Sequence, residues 1–213
     1  MKSINIALLS AMPEEIGNTI ENLENLTSTD YGDLKVYRGR LKNKVSNYES
    51  VYVTLAWSGW GKVSASRAIT RVLAGANKID LIIFTGVAGS ANRDIKQWDI
   101  VIAQEVIQHD MDARPIFERF VLPPLNKAKL ESDTYLTSSI FDSLTKSLNE
   151  GFLRKFGNIK KGLIATGDKF ISDEGVINKL KHEIPNLDAI EMEGGAVAQV
   201  AEQEKVPWII IRV

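Results

Sequence analysis

Residues 50–84 read SVYVTLAWSGWGKVSASRAITRVLAGANKIDLIIF, and this stretch decides the fold. Ser50 to Trp57 is an apolar, β-rich run that predicts a strand. From Lys62 to Ala74 the residues Val63, Ala68, Ile69, Val72 and Leu73 are expected on one helical face. Asp80-Leu-Ile-Ile-Phe then returns to a short continuous apolar run, the pattern of a strand buried on both faces. Strand, helix and strand in this order make a βαβ crossover, which implies an α/β sheet with helices packed on it.

The same alternation continues outward. Ile4 to Leu9 reads as the first strand, followed by a helix through Ile16, Ile20 and Leu23 and a strand near Lys35 to Leu41. Downstream, Asp99 to Ile107 is strand-like and gives way to a long irregular stretch from Gln108 to Thr134 that contains Pro115, Pro123 and Pro124. A loop of that length in a compact domain is usually functional or an interface arm. A helix around Ile140, Phe141, Leu144, Leu148 and Phe152, a strand from Ile159 to Ala165 and a helix from Glu174 to His182 come next. A last helix, Gly194 to Glu204, feeds a strand from Pro207 to Val213. No repeat or linker interrupts the chain, so residues 1–213 read as one domain.

Composition narrows the function. The 213 residues are 44% hydrophobic and 25% charged, enough to bury a sizeable core. With 26 Lys and Arg against 27 Asp and Glu, the net charge of −1 lacks the basic excess that phosphate-backbone binding demands, which argues against a nucleic-acid partner. No cysteine and two histidines, His109 and His182, exclude a disulfide framework and leave too few soft ligands for zinc, so no metal or other cofactor is expected. The apolar run from Ile4 to Leu9 is too short to cross a bilayer and runs into a polar turn, which points to a cytoplasmic protein that does not engage a membrane.

The candidate chemistry lies where strands end. Ser10-Ala11-Met12-Pro13-Glu14-Glu15 follows the first strand, where open α/β sheets bind ligands. Two acids in a first helical turn complement the macrodipole on their own account; as a site, one of them activates a water. Ser58-Gly59-Trp60-Gly61-Lys62 and Thr85-Gly86-Val87-Ala88-Gly89-Ser90 are glycine-rich turns that let backbone approach a ligand. They match neither a Walker loop nor the dinucleotide fingerprint, and ordinary strand-to-helix turns look the same. Two such turns and an acidic one fit a pocket assembled on one sheet edge. Glu191-Met192-Glu193-Gly194-Gly195-Ala196 enters the final helix; its paired carboxylates are either solvated acids or acceptors for adjacent hydroxyls of a sugar. His109-Asp110-Met111-Asp112 has metal-ligand residue types, but one His with two Asp at this spacing reads better as a hydrogen-bonded loop.

Five segments, Ser-Ala-Met-Pro-Glu-Glu at 10–15, Ser-Gly-Trp-Gly-Lys-Val at 58–63, Thr-Gly-Val-Ala-Gly at 85–89, Thr-Gly-Asp-Lys-Phe-Ile at 166–171 and Glu-Met-Glu-Gly at 191–194, together resemble the methylthioadenosine/S-adenosylhomocysteine nucleosidase family in order and spacing. The resemblance implies the nucleoside phosphorylase/hydrolase fold, a three-layer α/β/α domain around a central mixed β-sheet, and a homodimer. It implies a purine nucleoside as the small-molecule partner. By motif, Glu15 resembles the water-activating carboxylate and Glu193 the one that holds the ribose hydroxyls, with Met192 beneath the sugar. Phe170 and Ile171 resemble the adenine-stacking face and backbone contact. Val87, Ala88 and Gly89 match the loop beside base and sugar, while Met12 and Trp60 would line the ribose and 5′ side. Trp60 stands where a smaller aliphatic is common. Phe117 and Phe120, on the proline-containing arm, are candidates to reach a neighbouring subunit's 5′ pocket.

The activity that this resemblance implies is hydrolysis of an N-ribosidic bond through an oxocarbenium-like transition state. The family's Ser-Asp pair, whose Asp protonates N7 of the purine, should come directly after the strand ending at Arg212-Val213. The expectation is therefore a domain over 1–213 that lacks the C-terminal catalytic loop and helix and turns over slowly. Rival readings are a futalosine-type hydrolase, a purine nucleoside phosphorylase and a catalytically silent nucleoside-binding protein. Related phosphorylases carry an Arg where this chain has Phe84, and a phenyl ring cannot neutralise phosphate.

Overall fold

The computed structural model describes residues 2–43, 45, 47–75 and 77–213. Its strands are β1 (Ile4–Ser10), β2 (Leu23–Tyr31), β3 (Leu34–Leu41), β4 (Val51–Trp57), β5 (Leu81–Gly86), β6 (Gly89–Ser90), β7 (Ile100–Gln108), β8 (Lys129–Glu131), β9 (Ile159–Thr166), β10 (Leu187–Glu191) and β11 (Trp208–Arg212). The α-helices are α1 (Lys62–Leu73), α2 (Thr134–Asn149), α3 (Glu174–Glu183) and α4 (Gly194–Glu204). The strands form one mixed sheet in the order β2-β3-β4-β1-β5-β11-β7-β9-β10-β6, with β8 paired to β7. β1 runs parallel to both β4 and β5, so the β4-α1-β5 unit is a crossover that spans β1.

Strand alternation distributes the core between two faces. In β7, Val101 and Ala103 pack with the buried faces of α1 and α4, while Ile100 and Ile102 face α2 through Leu136, Ile140, Phe141 and Leu144. β11 does the same: Trp208 and Ile210 point to the first layer, Ile209 and Ile211 to the second. α3 closes a further cluster over β9 and β10 through Leu180, Leu163, Ala165 and Leu187. This is the three-layer arrangement expected. Asp133 caps α2 by accepting from Leu136 N, an N-cap worth about 1 kcal/mol. Among the described residues no helix is long and apolar enough to cross a membrane.

Five local expectations are corrected. No α-helix runs through Ile16, Ile20 and Leu23. Two short 3₁₀ segments, Pro13–Glu15 and Gly17–Asn22, occupy that stretch, because Gly17 sits at φ +57 and Asn18 leaves helical geometry. The three apolar residues are nevertheless packed together against Val51, Val53 and Leu55. Leu23 already belongs to β2, a strand whose mostly exposed polar sequence carries no apolar alternation. Val63 is 81% exposed, since the buried stripe is Ala65, Ala68, Ile69 and Val72 and Val63 is off that period. Phe152 lies beyond the end of α2 and is exposed. β10 was hidden by Asp188, a charge in a buried strand; it is satisfied there by Lys160 Nζ, Asn92 Nδ2 and Leu163 N.

Candidate active site

Segments that follow β1, β4, β5, β9 and β10 meet around one cavity of about 350 Å³. The turns after β1, β4 and β5 share one edge of parallel strands, as the sequence suggested, whereas the segments after β9 and β10 come from strands of the opposite direction. β7 is antiparallel to β11, so β9 and β10 run against the β1-β5-β11 group. The two sets are joined because β6 folds the loop after β5 back onto β10, pairing Gly89 with Ile190 and Ser90 with Ala189.

The residues assigned to the pocket by motif all line this cavity. Met12 and Glu15 come from the turn after β1, Trp60 from the turn after β4, and Val87, Ala88 and Gly89 from the loop after β5. Phe170 and Ile171 come from the loop after β9, and Met192 and Glu193 from the end of β10. Ala11, Lys169, Ile190 and Glu191 complete the walls. The acidic turn resolves to one residue: Glu14 is exposed, whereas Glu15 turns inward.

Glu15 is held by backbone alone. Its Oε2 accepts from Ala11 N at 2.9 Å and Met12 N at 2.8 Å, and its Oε1 accepts from Val87 N at 3.0 Å. Gly86 makes this possible. A Cβ there would stand 2.6 Å from Glu15 Oε1 and 3.0 Å from Arg212 Nη1, so the carboxylate and the guanidinium both lie against the glycine.

The Glu191/Glu193 pair does not present two equivalent acceptors. Glu191 is buried and its carboxylate is fully engaged: Oε2 accepts from Arg212 Nη2, from Glu193 N at 3.0 Å and from Gly194 N at 2.7 Å, while Oε1 accepts from Thr166 Oγ1. Burial alone would raise its pKa, but the Arg212 charge and these hydrogen bonds hold it below the usual carboxylate value. Glu193 accepts from Gly61 N at 2.9 Å through Oε1 and leaves Oε2 with only a 4.0 Å approach to Arg212 Nη2. Burial pushes the Glu193 carboxyl up to about 7, assisted by Glu191 and Glu15 and opposed by the Gly61 N–H and Arg212.

Arg212 and Thr166 are the functional neighbours that sequence reasoning missed. Arg212 is 1% exposed, its guanidinium lying 4.7 Å from the centre of the Phe84 ring. A cation therefore does occupy the neighbourhood of Phe84, but it is bound to Glu191. The signal was an arginine inside an otherwise apolar final strand. The His109–Asp112 segment is a hydrogen-bonded loop: Asp110 accepts from Lys62 Nζ at 2.7 Å and from Asp168 N at 2.9 Å, and Asp112 pairs with Arg114. His109 is buried, which lowers its pKa. Of the arm residues, Phe120 packs inward near Ile107 and under Arg119, Phe117 is half-buried, and Ile116 is the one left 83% exposed.

The phosphorylase superfamily pattern matches residues 5–213. The 5′-methylthioadenosine/S-adenosylhomocysteine nucleosidase of Anoxybacillus flavithermus is 34% identical over 98% of this chain and 84% of its own length. The aminodeoxyfutalosine nucleosidase of Campylobacter jejuni is likewise 34% identical, over 98% of this chain and 84% of its own. Among solved structures, the nucleosidase of Neisseria meningitidis in complex with methylthio-immucillin-A superposes with a TM-score of 0.83 at 29% identity, covering 97% of this chain and 83% of that one.

Proposed function

The chain belongs to the phosphorylase superfamily and, within it, to the 5′-methylthioadenosine/S-adenosylhomocysteine nucleosidase family, and on that premise we propose that its Glu15–Glu193 cavity hydrolyses the N-ribosidic bond of such nucleosides, releasing adenine and a thioribose. The observation that carries this reading is the different state of the two carboxylates. Backbone N–H groups fill three of roughly four lone-pair positions on Glu15 and leave one on Oε1 for a water. Arg212 Nη1 shares the face of Gly86 with that oxygen and is placed to orient the same water. Glu193 keeps Oε2 for the ribose hydroxyls, with Met192 beneath the sugar. Phe170 and Ile171 take the adenine, Val87, Ala88 and Gly89 flank base and sugar, and Met12 and Trp60 line the ribose and 5′ side.

In the reaction the water oxygen bonds to C1′ as the C1′–N bond breaks and its electron pair leaves with the purine; Glu15 takes the water's proton, and the departing purine takes up a proton at a ring nitrogen to leave as neutral adenine. The reading favours water over phosphate as the acceptor. Among the described residues lining the cavity, Lys169 is the one side-chain cation, and the nearby Arg212 is paired with Glu191. The experiment is product analysis of 5′-methylthioadenosine cleavage with and without phosphate. Free adenine and a free reducing sugar are expected without phosphate; strict phosphate dependence and a sugar 1-phosphate would establish a phosphorylase instead. An aminodeoxyfutalosine substrate belongs in the same panel, given the 34% identity to a nucleosidase of that specificity. Ligand binding with no turnover on any of them would identify a silent binding protein.

The same reading carries a cytoplasmic homodimer acting in nucleoside catabolism and methionine salvage. Trp60, Val87 and Phe170 leave large apolar groups in solvent at the cavity, which supports a second subunit over this face.

A further inference from the structure

Helix α1 starts without a side-chain cap of its own, because its N-cap is Gly61 at φ +89. The acceptor comes instead from the loop after β9, where Asp168 Oδ1 accepts from Lys62 N at 2.7 Å. Two more contacts close a ring. Asp168 N donates to Asp110 Oδ2 at 2.9 Å, and Lys62 Nζ pairs with Asp110 Oδ1 at 2.7 Å while reaching Gln108 Oε1 at 3.3 Å. Lys62, Asp110 and Asp168 thereby lock the turn that carries Trp60 to the loop that carries Phe170.

Gly61 lies against this ring. Its added Cβ would stand 3.0 Å from Asp168 Oδ1, and its N–H donates to Glu193 Oε1 at 2.9 Å. Gly59 and Gly61 both have positive φ, +79 and +89, so the turn has little stiffness of its own and the direction of the Gly61 N–H depends on what anchors the next residue. We propose that Asp168 is a positioning residue: by gripping the first amide of α1 it aims the Gly61 N–H at Glu193 and fixes that carboxylate as the acceptor for the ribose hydroxyls. The proposal rests on the assignment of Glu193 to the ribose.

The charged groups around Glu193 set what a test reads. Glu191 from β10 and Glu15 from the turn after β1 disfavour its ionisation, and Arg212 from β11 and the Gly61 N–H favour it. Lys62, Asp110 and Asp168 connect to Glu193 through the Gly61 amide and are not among the groups that set its ionisation most. Loss of a like charge at Asp168 would ease Glu193 ionisation, whereas loss of its N–H donor would hinder it. The sign of the change therefore separates the two effects.

The experiment is a carbon-13 NMR pH titration of glutamate side chains in the ligand-free protein, with the Glu193 signal identified by its absence in Glu193→Gln. In Asp168→Ala the Glu193 midpoint is expected to rise by about one unit, the effect of losing one hydrogen bond to a charged group. In Asp168→Asn, which keeps an acceptor oxygen for Lys62 N, it should stay at or below the wild-type value. The acid limb of kcat/KM for adenine release should move in parallel. An unmoved or lowered midpoint in Asp168→Ala overturns the proposal. A raised midpoint in a protein whose wild type releases no adenine leaves the positioning role standing and removes the nucleosidase reading. If thermal melting shows that Asp168→Ala is unfolded, Asp168→Ser, whose hydroxyl stands one bond short of the Asp168 Oδ1 position, serves for the same comparison.

Discussion

Replacing Gly86 with alanine should disable Glu15 without touching it. The added methyl would lie 2.6 Å from Glu15 Oε1 and 3.0 Å from its Cδ, so the carboxylate must retreat by most of an ångström and give up the 3.0 Å bond from Val87 N. A misplacement of about 1 Å in a reacting group costs on the order of 10²-fold in rate. We therefore expect kcat for adenine release to fall about 10²-fold with KM little changed, because Glu15 contributes to the transition state more than to the bound ground state. Crowding should also destabilise the fold by about 1–3 kcal/mol, read from denaturant unfolding. A double-mutant cycle isolates the contact. With Glu15→Ala the clash is gone, so Gly86→Ala should cost almost nothing more in rate; only the 3.0 Å contact with Arg212 Nη1 remains to be relieved. If Gly86→Ala turns over within about threefold of wild type, or if its penalty persists undiminished in the Glu15→Ala background, Glu15 is not held in its working position by this contact.

Glu15→Gln should lower turnover by about 10²- to 10⁴-fold, the usual worth of a general base, while calorimetry with a nucleoside inhibitor finds nearly unchanged affinity; near-native turnover would remove Glu15 from the reaction. Glu193, with its pKa at about 7 in the fold, should give kcat/KM an acid limb that rises through that pH as the carboxylate ionises, and Glu193→Gln should erase the limb. The stability consequence has the opposite slope. A carboxyl whose pKa is raised on folding contributes fully below its unfolded value of 4.5 and loses that contribution as pH climbs to about 7, so Glu193→Gln should raise Tm at pH 8 but not at pH 4. Arg212→Met should cost about 3–5 kcal/mol by leaving Glu191 buried without its partner, and a variant as stable as wild type would show that the pair is not what holds β10 and β11 together here.

The helices α1, α3 and α4 and the strands β1, β3, β4, β5, β7, β9 and β11 were legible because each carries enough apolar residues at its own period to announce itself. β2 and β10 were not. The first is mostly exposed and polar and exists through its pairing with β3, and the second interrupts its apolar run with Asp188, tolerable only beside Lys160 and Asn92. Val63 shows the limit from the other side: hydrophobicity placed it in the core, and two positions of helical phase put it in water.

By itself the sequence determined which residues stand at the strand ends, because turn glycines, acids and flanking apolar runs are local patterns, and the family resemblance supplied the remaining side chains of the candidate cavity. Tertiary structure alone decided what those residues can do. Glu191 and Glu193 are separated only by Met192 and chemically identical, yet one is saturated by Arg212 and Thr166 while the other keeps an oxygen free. Glu15 and Glu14 are neighbours, and only Glu15 meets the backbone N–H of Val87. A carboxylate's state depends on the donors and charges within a few ångströms of it, and here those arrive from strands distant in sequence, through a sheet order that no local pattern encodes.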